Sequence, residues 1–143
     1  RSCGIVYSRT TASHGSFALP DDFLLWHPTC HHSHDLDAKA EAFLNLSPYR
    51  ELSLLYVWGH AYEFDREEPS NNWKLIEAFC EKVSSRDDIW YATNLEIFEY
   101  VAALRSLVIS VDGKLLRNRS GLDLWVQADG KPVKIPAGAG VTL

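Results

Sequence analysis

The nine residues Leu52 to His60, LSLLYVWGH, constrain this chain more than any other stretch. Leu52 to Trp58 is a mostly apolar run without polar alternation, and it predicts a strand buried on both faces, as in parallel sheets. Gly59 lets the backbone turn sharply at its end. His60 then stands past the carboxyl end of a buried strand, where α/β folds gather their reactive groups. Tyr62, Glu63 and Asp65 follow at once.

The rest of the chain extends that pattern. Short apolar runs predict strands over 3–7 (CGIVY), 22–29 (DFLLWHPT) and 89–93 (IWYAT). Between them lie helical spacings. Over 35–46, Leu36, Ala40, Phe43 and Leu44 share one face; over 72–83, Trp73, Ile76, Phe79, Cys80 and Val83 do so. Thr93-Asn94-Leu95-Glu96 has the form of a capping box and opens a third helix carrying Leu95, Phe98, Val101 and Leu104. Strands alternating with amphipathic helices predict parallel βαβ units. After Leu107 the pattern changes. Asp112-Gly113 and Asp129-Gly130 punctuate short alternating runs, the signature of antiparallel hairpins. The expected fold class is therefore α/β, with parallel strands and outer helices over 1–107 and a small antiparallel β meander over 108–143. The βα units are too few to close a barrel. The chain begins at Arg1 and has no methionine. The expectation is accordingly the C-terminal half of a (β/α) barrel, its first half lying upstream.

Composition narrows the partners. The formal net charge is −5, which argues against nucleic acid, because phosphate binding needs a basic face. No apolar window is long enough to span a membrane. No secretory leader is visible, which inclines the reading toward the cytoplasm. Cys3, Cys30 and Cys80 are odd in number and widely spaced, so they form neither a disulfide framework nor a zinc ribbon. Aromatic residues make up 12% of the chain, a richness that fits either sugar binding or a packed core.

The segments FALPDDFLLWHPTCHH, YVWGHAYEFD, NNWKLIEAFC and DIWYATNLEIFEYVAAL together resemble polysaccharide deacetylases of the NodB-homology type, the fourth carbohydrate esterase family. The resemblance covers residues 3 to 143 and is closest to a bacterial branch with a small β-rich tail. It implies a distorted (β/α) barrel and the metal-assisted hydrolysis of an N- or O-acetyl group on a sugar. It also implies a divalent metal, zinc above all, held by one Asp and two His from motifs of the N-terminal half. Those motifs have no match here, so this chain by itself is expected to bind no metal and to be inactive alone. The late leucine-x-histidine motif, whose His is the general acid, falls on Trp58-Gly59-His60, with Trp in place of Leu. The preceding acidic and Trp motif falls loosely on Leu25-Trp26-His27, without its Asp.

His60 is thus the expected catalytic acid. Histidine is the side chain whose ordinary pKa suits proton donation near neutral pH. Trp26 and Trp58 are expected to wall a sugar site, and His31, Tyr62 and Glu63 to contact the substrate, an acetylated carbohydrate. Asp65 is read as a solvated loop residue. His31, His32 and His34 with Asp35 form the densest group of possible metal ligands. Consecutive histidines rarely converge on one ion, however, and the plainer reading is a polar loop whose Asp35 caps the next helix. Trp73, Trp90 and Trp125 are read as packing, and Cys30 as a small buried residue. The competing function is a non-catalytic carbohydrate-binding module built on the aromatics.

Overall fold

Three amphipathic stretches become helices because each has a start signal and a stop. The computed structural model describes residues 3–47, 51–66 and 72–143. Helix α1 spans Leu36–Leu44, α2 Trp73–Val83 and α3 Asn94–Arg105. Asn72 caps α2 by accepting from the Leu75 N–H at 3.0 Å. The capping box of α3 is complete: Thr93 Oγ1 accepts from Glu96 N–H, and Glu96 Oε2 accepts from Thr93 N–H at 2.7 Å. A cap of this kind stabilises a helix by about 1 kcal/mol. Asp35 differs from expectation. It sits at the N-cap of α1 with φ of 50°, and its side chain makes no cap bond.

The chain forms two compact units, 1–90 and 91–143. The boundary lies ahead of α3, so α3 belongs with the β-rich tail rather than with a unit running to 107. The reason is packing: Tyr100, Ala103 and Leu107 join Leu116, Leu124, Ile135, Val126 and Val141 in one apolar cluster.

In the first unit, β1 (Cys30–His31) pairs parallel with β2 (Val57–Trp58), Cys30 opposite Val57 and His31 opposite Trp58. Thr29 extends the register on the entry side, its hydroxyl accepting from the Tyr56 N–H at 3.1 Å and donating to the Leu54 carbonyl at 3.3 Å. A parallel bridge joins Arg9 to Trp26. Trp26 anchors the core here at 1% exposure, its ring centroid 4.9 Å from that of Phe23 and 4.8 Å from that of Tyr56.

Several predicted strands take other forms. The run from Leu52 is half-buried rather than enclosed, and Leu52 itself is exposed. Only Val57 and Trp58 are strand, because among the described residues β2 has β1 as its sole strand neighbour. The 22–29 run begins with a 3-10 helix, Phe23–Leu25, which Asp22 caps by accepting from the Leu24 N–H at 2.9 Å. Within this run pairing is confined to the single bridge of Arg9 with Trp26, and a strand begins only at Cys30, beyond Pro28. Residues 3–7 and 89–93 are not strands, and Ile5, Val6, Trp90 and Tyr91 are exposed.

The second unit is antiparallel, as the Asp-Gly signals require. Strands β3 (Val108–Ile109), β4 (Leu115–Arg117) and β7 (Gly140–Thr142) form one sheet in the order β3-β4-β7. Strands β5 (Leu124–Ala128) and β6 (Lys131–Ile135) form a hairpin. Its two turn residues, Asp129 and Gly130, have φ of 49° and 75°, the paired positive values of a tight two-residue hairpin. Asn118, 1% exposed, ties the unit together. Its amide nitrogen donates to the carbonyls of Leu122, Ile135 and Pro136, and its oxygen accepts from the Ser120 N–H and hydroxyl.

Among the described residues the architecture is thus mixed α/β: a parallel pair, a three-stranded antiparallel sheet and a hairpin, with no closed barrel. No helix among them is long and apolar enough to cross a membrane.

Candidate functional site

Parallel pairing places His31 and Trp58 opposite one another at the carboxyl ends of β1 and β2, ring centroids 4.6 Å apart and nearly perpendicular. Residues 30 and 31 alternate as strand neighbours should. His32 does not continue that alternation, because the chain turns. The His34 N–H closes onto the His31 carbonyl at 3.0 Å, and the His32 N–H donates to the Trp58 carbonyl at 2.9 Å. The turn brings the His32 ring beside that of His31, centroids 4.3 Å apart.

His32 is 2% exposed and lies between Phe64, at 4.4 Å between ring centroids, and the backbone of Gly59. A Cβ at position 59 would sit 1.6 Å from Nδ1 of His32. Gly59 is absent from the positive-φ residues. Its requirement is therefore room for an imidazole, not an unusual turn.

Beyond β2, the 3-10 helix Ala61–Arg66 carries Glu63 back over the strand ends. The Glu63 N–H donates to the His60 carbonyl at 3.0 Å, and its carboxylate accepts from the His60 N–H at 3.2 Å. The same carboxylate oxygen, Oε2, lies 3.2 Å from Nε2 of His31 and 3.5 Å from Nε2 of His32. His31, His32 and Glu63 each offer one ligand atom within 4.8 Å of the other two. On the far side of His31, Nδ1 is 2.8 Å from the Ser33 hydroxyl.

The electrostatics of this group are coherent. Burial lowers the pKa of His31 below its ordinary value, and the neighbouring imidazole of His32 adds to that; Glu63 opposes both. For Glu63, loss of water pushes the carboxyl up. The His60 N–H and the imidazoles of His31, His32 and His60 outweigh it and hold the carboxyl below the ordinary carboxylate value. Near neutral pH the group is one carboxylate facing the neutral ring of His31. Two imidazole nitrogens and a carboxylate oxygen are the donors that zinc and its neighbours take.

His60 is exposed. Its ring stacks on Tyr62 at 5.2 Å between centroids and lies 6.0 Å from Trp58. Cations flank both aromatics: the Arg9 guanidinium is 4.3 Å over Trp58, and that of Arg66 is 5.4 Å over Tyr62. The Trp58 indole N–H donates to the Ser13 hydroxyl at 3.2 Å.

Five of the expected site residues, His31, Trp58, His60, Tyr62 and Glu63, therefore meet at one end of the parallel pair. Trp26 does not join them. It is enclosed in the core beside Tyr56, ahead of β2, and presents no face to a ligand. Its indole N–H has no hydrogen-bond partner among the described residues. Asp35 is also apart, its φ having turned the cap away. The residue that sequence reasoning undervalued is His32, whose inward turn no strand pattern encodes. Trp73, Trp90 and Trp125, expected as packing, are all half-exposed or more. Cys30 is buried as expected, and burial pushes its thiol up, keeping it protonated.

Comparison with protein-family models, with curated proteins and with solved structures finds no match to this chain.

Proposed function

We propose that this protein removes acetyl groups from a carbohydrate by hydrolysis, with His60 as the proton donor to the leaving group. The observation that carries the reading is the setting of His60: an exposed imidazole just beyond a parallel strand, its backbone fixed by Glu63 and its ring flanked by Trp58 and Tyr62. The motif resemblance supports the same role. On this reading β1 and β2 are staves of a distorted (β/α) barrel.

The chemistry needs few parts. Water adds to the acetyl carbonyl, and the tetrahedral adduct collapses with cleavage of the C–N or C–O bond. The departing amine or alkoxide takes a proton from the His60 imidazolium, a transfer that a positioned side chain can make in the transition state. A divalent metal, zinc on the resemblance, supplies when bound a polarised carbonyl and a more acidic water. Trp58 and Tyr62 offer aromatic faces for the C–H faces of a sugar ring, and His31 and Glu63 form the polar rim between them.

A second reading, a non-catalytic carbohydrate-binding module, draws on the exposure of Trp73, Trp90, Tyr91 and Trp125. Acetate release from N- and O-acetylated oligosaccharides by the full-length protein separates the two. Release that depends on His60 supports hydrolysis. Sugar binding without release supports the module.

A further inference from the structure

We infer that His31, His32 and Glu63 form a divalent transition-metal site contained wholly within this chain, with Nε2 of each histidine and Oε2 of the glutamate as ligands. This departs from the expectation that consecutive histidines do not converge on one ion. They do converge here, because the turn after β1 folds His32 back beside His31.

Three observations carry the inference. The first is spacing. Donor atoms bound at zinc–ligand distances of about 2.0–2.1 Å in a tetrahedron lie roughly 3.3 Å from one another. The separations of Glu63 Oε2 from the two Nε2 atoms, 3.2 and 3.5 Å, bracket that edge.

The second is construction. His32 is enclosed between Phe64 and Gly59, in a place that exists only because residue 59 has no side chain. His31 is braced edge-on by Trp58, and Glu63 is fixed by its own N–H and by the His60 N–H. Ligands held this way lose little freedom on binding.

The third is the outer shell. Nδ1 of His31, on the side away from Glu63, lies 2.8 Å from the Ser33 hydroxyl and accepts from the Ser33 N–H at 3.3 Å, contacts that hold the ring with Nε2 toward Glu63. Metal-bound histidines commonly use such a partner to fix the orientation of the ring.

Three protein ligands leave a fourth position open to water, the arrangement of reactive rather than purely structural zinc sites. With metal bound, His31 and Glu63 serve the metal rather than a sugar hydroxyl. The inference does not depend on the deacetylase reading, since binding is measured without any substrate.

The test is titration of the chelator-treated chain with Zn2+ by calorimetry and with Co2+ by visible absorption. The expected result is one equivalent bound at micromolar affinity or tighter, with the intense d–d bands of low-coordinate cobalt. Glu63→Gln keeps the side chain's shape and its acceptor for the His60 N–H, yet removes the ligand charge. It and His31→Ala are each expected to weaken binding by more than about a hundredfold, beyond the usual cost of losing an outer-shell partner. His14→Ala, a change at an exposed histidine outside the group, is expected to leave binding intact. Melting curves of the metal-free variants establish that they are folded. Failure of the wild-type chain to bind Zn2+ would overturn the inference. So would equal affinity in folded Glu63→Gln, which would assign the metal to scattered surface histidines.

Discussion

The imidazole of His32 occupies the space that a side chain on Gly59 would fill: a Cβ there would lie 1.6 Å from Nδ1 of His32. Gly59→Ala must therefore displace a buried ring that packs on Phe64. Forcing extra volume into a packed site costs about 1–3 kcal/mol. Thermal denaturation is expected to show that loss for Gly59→Ala and a much smaller one for Gly121→Ala, where a Cβ meets open space. Equal melting temperatures for Gly59→Ala and wild type would mean that His32 has room to move.

Asn118 yields a second prediction, in the other unit. Its buried amide satisfies three carbonyls and accepts from Ser120 twice. Asn118→Ala removes this donor from the buried Ile135 carbonyl, whereas the Pro136 carbonyl keeps the Ala139 N–H; a buried group that loses its partner costs about 1–3 kcal/mol. Urea denaturation should show a lower midpoint, with the β-rich unit losing structure first.

The capping box predicts a pH dependence. Hydrogen bonds from the backbone and hydroxyl of Thr93 hold the Glu96 carboxyl below its ordinary value of 4.5. A depressed carboxyl contributes stability above its unfolded pKa and loses it as pH falls through the folded one. Glu96→Gln keeps the acceptor without the titration. The variant is expected to lose less stability than wild type as pH falls below 4.5. Asp88, Asp112 and Asp123, whose carboxyls are also held down, titrate in both proteins, so the difference between them isolates Glu96.

Legibility in the sequence followed the range of the interaction. The helices and the Asp129-Gly130 hairpin were readable because caps, apolar spacing and turn residues act within a few positions. Runs such as CGIVY and IWYAT were misread as strands, since a short apolar run becomes a strand only where another backbone pairs with it. The meeting of His31 and His60 at the carboxyl ends of the strands was anticipated, but with Trp26 beside them, which the core encloses instead. The convergence of His31 with His32 was not, because strand periodicity sends neighbours to opposite faces and only the turn closed by His34 reverses it. Trp26 illustrates the same limit. Its motif position pointed to a binding wall, but Phe23, Tyr7 and Tyr56, brought together from separate segments, enclose it.

Ser33 supplies a prediction about the outer shell of the inferred metal site. Ser33→Ala removes the hydroxyl beside His31 Nδ1, keeps the Ser33 N–H that also faces it, and leaves the three ligand residues unchanged. Zinc affinity is expected to fall by roughly 10–100-fold, the usual effect of losing such a partner, with little change in the melting temperature of the metal-free protein. Competition with a chromophoric chelator measures it.

The most direct test of the proposed function is the pH profile of acetate release by full-length protein carrying His60→Ala. A positioned general acid contributes about 10²- to 10⁴-fold, and turnover is expected to fall by that amount. The acid must be protonated to act, so the loss of activity toward high pH in the wild type should vanish or shift in the variant. Fold and metal affinity should be retained, because the exposed ring of His60 lies outside both the core and the inferred ligand set. Turnover close to wild type with an unchanged high-pH limb would contradict the account.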